Sequence, residues 1–127
     1  MRKARDRKRH LSLGWALLLF AGFSVAGDAH IKREWVPTLK DIAELESKVR
    51  MPEGAAPLKN FTREYAGKIE NGHRVIVGVY SGAGGQVVIV KSTKELLSTL
   101  DGGCSIVEVS YDLTNHRVIE AICNGEA

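Results

Sequence analysis

The sequence predicts an α+β domain in which one N-terminal helix packs on an antiparallel sheet of four or five strands, in the order α-β-β-β-β-β. Three observations carry that expectation. Between Pro37 and Met51 the apolar residues recur at helical spacing. After Asn60 the chain reads as short apolar runs separated by turn residues, with Asn71-Gly72 between two of them. Two cysteines, Cys104 and Cys123, fall where the last two strands would face each other.

The 127 residues leave room for one domain behind a leader. Residues 1–26 have the parts of a signal peptide. Arg2, Lys3, Arg5, Arg7, Lys8 and Arg9 make a positive start, and an apolar run follows from Leu11 to Ala26. At 1.5 Å per residue that run makes about 24 Å of helix, short of the roughly 30 Å of bilayer hydrocarbon. Ser24 and Ala26 supply the small residues of a cleavage site, and Gly27-Asp28-Ala29 offers a poorer one. The alternative is an uncleaved membrane anchor with its positive charges held inside. No cysteine precedes Cys104 and no two arginines are adjacent in the leader, which argues against lipidation and twin-arginine export. A bacterial periplasmic or secreted domain is expected.

The leader also holds most of the basic character. The chain carries a formal net charge of +3, with 18 basic and 15 acidic residues. Removing the six leader cations and Asp6 leaves 12 basic and 14 acidic residues from Leu11 onward, a net of −2. Nucleic-acid binding loses its support, because phosphate neutralisation needs a retained basic patch.

Residues 27–36 are a lead-in containing Trp35, and residues 37–127 are the domain. Thr38 can cap the helix with Asp41 three residues on, and Leu39, Ile42, Ala43, Leu45 or Glu46, and Val49 mark its apolar stripe. Pro52 is expected to stop it, ahead of a loop over Glu53 to Pro57. Strands are expected over Phe61 to Glu70 and His73 to Ser81, joined by a type I′ turn at Asn71-Gly72 that sets Lys68 opposite Val75 and Ala66 opposite Val77. Gly82 to Gly85 lead into a third strand, Gln86 to Lys91. Ser92 to Leu100 reads as a short helix or irregular crossover, before strands from Cys104 to Asp112 and Arg117 to Asn124. The element order is similar to that of cystatin-like and related helix-on-sheet domains. The resemblance covers the order alone, and the Gln-x-Val-x-Gly segment of cystatin inhibitors is absent.

Register tests the cysteine pair. A two-residue loop, Leu113-Thr114, puts Cys104 directly across from Cys123, and a four-residue loop makes them diagonal neighbours on one face. An odd loop without a compensating bulge would place them on opposite faces. Outside the cytoplasm a disulfide is expected, rather than a Cys104 nucleophile, since no helix N-terminus or fixed base stands ready to lower its pKa.

Other residues favour the plain reading. In an up-and-down sheet His73 and His116 lie at opposite ends, which speaks against a shared metal. Glu108 and Glu120 point to opposite faces in these registers, against an acid–base pair. Gly82 to Gly85 lacks the Gly-Lys-Ser/Thr ending of a phosphate loop. Asn60-Phe61-Thr62 fits a glycosylation acceptor, relevant only in a eukaryotic pathway. No cofactor or metal is indicated. One feature asks for more: Val75 to Tyr80 and Val87 to Val90 are apolar on both faces, while one helix covers only one. The rest of the chain, a second copy or a partner must cover the other. The expectation is a non-catalytic binding module, of which an inhibitor or immunity protein is one type, acting through that face or through Tyr80, Ser81 and Gln86. The alternative is a small extracytoplasmic hydrolase or thiol enzyme using Cys104.

Overall fold

The structure is a computed structural model that describes residues 35–125. The expected signal peptide and most of the expected lead-in lie outside the described residues. The helix, α1, spans Leu39–Lys48. Asp41 N–H donates to Thr38 Oγ1 at 3.2 Å, and Thr38 N–H donates to Asp41 Oδ2 at 2.8 Å, closing the expected capping box. The helix ends before Pro52 is reached, because Val49 turns to extended backbone (ψ 136°). Leaving the helix there lets Val49 and Met51 pack against the core. Only Ile42 and Leu45 of the expected stripe are buried, and Leu39 stays 70% exposed.

The strands are β1 Thr62–Glu70, β2 His73–Ser81, β3 Val87–Ile89, β4 Gly103–Asp112 and β5 Arg117–Asn124. They form one sheet in the order β3-β1-β2-β4-β5. The β1–β2 hairpin has the predicted register, Glu70 opposite His73 and Ala66 opposite Val77. Asn71 and Gly72 take the positive φ of 50° and 77° that a type I′ turn demands.

The sheet is mixed, not purely antiparallel, because β3 pairs in parallel with β1. Two strands compete for the free edge of β2. The longer one wins, as β4 matches it from Val75↔Asp112 to Tyr80↔Val107. Gly82, Gly84 and Gly85, all at positive φ, swing the chain across the start of β1 instead. Thr62 Oγ1 donates to the Ala83 carbonyl there, and Arg63 N–H donates to the Gln86 carbonyl at 2.7 Å.

On the helix side the core gathers Ile42, Leu45, Phe61, Tyr65, Ile76, Tyr80, Val107, Val109 and Tyr111. Trp35 closes one margin of it. Its indole lies over Gly67, its Nε1–H donates to the Lys68 carbonyl at 2.9 Å, and Arg74 stacks 5.5 Å from the ring. A Cβ on Gly67 would stand 2.9 Å from Trp35 Cε2 and closer still to the Trp35 carbonyl oxygen. Gly67→Ala is therefore expected to cost about 1–3 kcal/mol and to expose the indole. Urea unfolding followed by Trp35 emission checks both; unchanged midpoint and emission would refute the contact.

The opposite face is covered in part from within the chain. Ser92 to Leu100 forms a single 3₁₀ turn, Thr93–Glu95, capped by Ser92, rather than a helix. Leu97 N–H donates to Glu64 Oε2 at 3.1 Å, which lays Leu96 and Leu97 beside Val77 and Val79. Val88, Leu97, Ile119 and Ile122 remain at least 36% exposed.

Candidate functional site

Cys104 and Cys123 are bonded, with Cα atoms 4.5 Å apart. The turn between β4 and β5 is the four-residue one, yet the ladder beyond it is irregular. From Tyr111↔Val118 to Ser110↔Glu120 β5 carries one extra residue, Ile119. From Val107↔Cys123 to Gly103↔Asn124 β4 carries three, Cys104, Ser105 and Ile106. Each shift reverses which face a residue meets, and the two cancel. The sulfurs meet because Cys104 sits inside the second irregularity. With both sulfurs in the bond, Cys104 has no thiol to act as a nucleophile.

The first shift also corrects the reading of Glu108 and Glu120. Between the two irregularities Ile122 faces Glu108 and Glu120 faces Ser110, so both glutamates lie on the face away from the helix. A regular ladder would have set Glu120 against Val109, inside the helix-side core. The bulge at Ile119 puts Ala121 there instead. Neither glutamate is buried, and among the described residues neither forms an ion pair or side-chain hydrogen bond.

His73 and His116 lie at the same end of the sheet, contrary to the up-and-down expectation. Because β4 runs antiparallel beside β2, its end at Asp112 meets the beginning of β2. The two imidazoles still have separate partners. His73 Nδ1 is 3.1 Å from Asp112 Oδ2 and 3.1 Å from Asn115 Nδ2. His116 Nδ1 bonds Glu44 Oε1, and its carbonyl accepts from Lys48 Nζ at 2.9 Å. Asn115 chiefly, with His73, holds the Asp112 carboxyl low, at about 2. Contacts from His116 first, then Tyr111, lower that of Glu44. Among the described residues no three His, Cys, Asp or Glu side chains group to hold a metal.

A network that sequence reading missed joins helix to sheet. Glu46 Oε1 accepts from Arg63 Nε at 2.7 Å and from the Tyr65 hydroxyl at 2.8 Å. The Tyr80 hydroxyl lies 2.9 Å from that of Tyr65. Tyr65 has one proton, so the chain runs Tyr80 to Tyr65 to Glu46. Arg63 is buried and also donates to the Leu58 and Phe61 carbonyls. Nearby, Tyr111 donates to Glu44 Oε1 at 2.8 Å. The available signal was a pair of opposite charges: Arg63, which alternates with Phe61 and Tyr65, and Glu46, which competes with Leu45 for a place on the helix stripe.

Of the residues expected to bind, Tyr80 is fully buried with its hydroxyl spent on Tyr65, Ser81 is half-buried and Gln86 is exposed. All three tyrosines are buried and resist ionisation. Burial is the largest cause in each, reinforced by Tyr80 and Glu46 at Tyr65, and by Glu44 at Tyr111, which is pushed up to about 12. A hydroxyl held protonated in the fold and free to ionise in the unfolded chain stabilises nothing lost below about pH 10, and stability falls as pH rises past it. Alkaline titration is thus expected to show tyrosinate absorbance appearing together with unfolding. Ionisation near pH 10 with intact circular dichroism would contradict the burial.

No family model, no curated protein and no solved structure matches this chain. Among the described residues no helix is long and apolar enough to cross a membrane.

Proposed function

We propose that the chain is an exported, non-catalytic binding module, locked by one disulfide and acting through the half-covered face of its sheet. The observation that carries the reading is the state of that face. The crossover segment buries Val79 but leaves Val88, Leu97, Ile119 and Ile122 substantially exposed. Scattered apolar residues are ordinary on a surface; these lie on the one sheet face that the helix does not cover, Ile119 and Ile122 together on β5, and Val88 with Leu97 toward the β3 edge. The bonded cysteines support the compartment, since disulfides persist where the medium is oxidising. An inhibitor or immunity-type role fits such a surface. The processed protein, immobilised and exposed to envelope extract, is expected to retain a partner, or to run in solution above its monomer mass. A strict monomer that retains nothing would defeat the proposal.

A further inference from the structure

The chain has four asparagines, and two of them, Asn71 and Asn124, precede a glycine. Before glycine a side-chain amide is most open to attack by the next backbone nitrogen, because no Cβ on the following residue hinders the approach. Asn60 and Asn115 are followed instead by Phe61 and His116, whose side chains stand in that path.

The fold treats the two Asn-Gly pairs in opposite ways. Asn71 and Gly72 are exposed at the tip of the β1–β2 hairpin, both at positive φ. Among the described residues nothing hydrogen-bonds the Asn71 carboxamide or the Gly72 N–H, and a Cβ on Gly72 would meet nothing within 4 Å. Asn124 ends β5, paired with Gly103. Its Oδ1 accepts from the Gly102 N–H at 3.0 Å, and the Gly125 N–H donates to the Cys123 carbonyl at 2.8 Å. Electrophile and nucleophile are both held there, one residue from the disulfide.

We propose that Asn71 is a site of spontaneous deamidation, and that the fold and its disulfide protect Asn124 from the same change. The Gly72 nitrogen bonds to Asn71 Cγ and gives its proton to solvent. The Cγ–Nδ2 bond breaks, and the departing nitrogen takes up a proton and leaves as ammonia. Water then opens the five-membered imide at either carbonyl, giving aspartate or isoaspartate. The turn must leave its type I′ form for the attack, and a hairpin tip opens at little cost in free energy. Isoaspartate routes the chain through the side-chain carbon, adding a backbone atom to a two-residue loop whose tight geometry sets the β1–β2 register.

Timed digestion and mass spectrometry of the folded, disulfide-bonded protein, kept in mildly alkaline buffer, test this. Asn71 is expected to convert about tenfold faster than Asn124, and the two rates to come within about threefold of each other in reduced protein held in urea. Cys104→Ala/Cys123→Ala, its fold verified by circular dichroism, is expected to speed conversion at Asn124 and leave that at Asn71 unchanged. Equal conversion of both in the folded protein, faster conversion at Asn124, or conversion of Asn71 only in urea would each overturn the assignment. An Asn124 rate untouched by loss of the cysteines would overturn the protective role given to the disulfide.

Discussion

Glu46→Leu is expected to destabilise the protein by about 3–5 kcal/mol, because it leaves the buried Arg63 guanidinium without a counter-charge. Tyr65 loses its acceptor in the same step. The penalty comes from stranding a charge rather than from losing a favourable bond. The double replacement Glu46→Leu/Arg63→Met should therefore recover most of the loss. Urea unfolding of the single and double variants measures both quantities. A single variant within about 1 kcal/mol of wild type would show that water reaches Arg63 and that the network is ornamental to the fold.

Replacing both cysteines by alanine is expected to cost about 3 kcal/mol, the chain-entropy value for a cross-link across 19 positions of sequence. The fold is small, and a loss of that size is a large share of the total. The effect should be local first. Gly103 and Asn124 are the last pair of the β4–β5 ladder, held beyond a three-residue irregularity. Amide exchange there should accelerate before it does at Val109 or Ala121. Equal unfolding midpoints with and without reductant would mean that the ladder alone holds this end.

Residues that decide their own neighbourhood were legible in the sequence. Thr38 and Asp41 mark the helix start, and Asn71-Gly72 fixes both a turn and the register of nine opposed pairs. The cysteine bond followed from two strands and a compartment. What escaped was decided by competition or by length. No residue within β3 says that β4 will take the free edge of β2, so the parallel pairing with β1 was not foreseeable from local pattern. The helix end was misplaced because Pro52 is a visible stop, whereas the pull of Val49 and Met51 into the core is not. Glu44 and Glu46 read as solvent-facing or ambiguous, since the partners that hydrogen-bond their carboxylates lie at least 17 positions away. The face of Glu120 was missed because one surplus residue in an apolar run, Val118-Ile119, carries no polar marker. Its only trace was that a regular ladder would have driven Glu120 into the interior. From the same cause the shared face of Glu108 and Glu120 emerged only from the pairing.

Ile119 is the residue the β5 ladder does not use, and this makes it a point of tolerance within the strand. Shortening the chain by that one position would leave Val118 on Tyr111 and let Glu120 follow directly onto Ser110, with every pairing downstream kept. Removing Ala121 or Ile122 instead would turn Cys123 outward and break its meeting with Cys104. Loss or gain of single residues in this strand during descent should accordingly be absorbed at Ile119 and rejected two positions later.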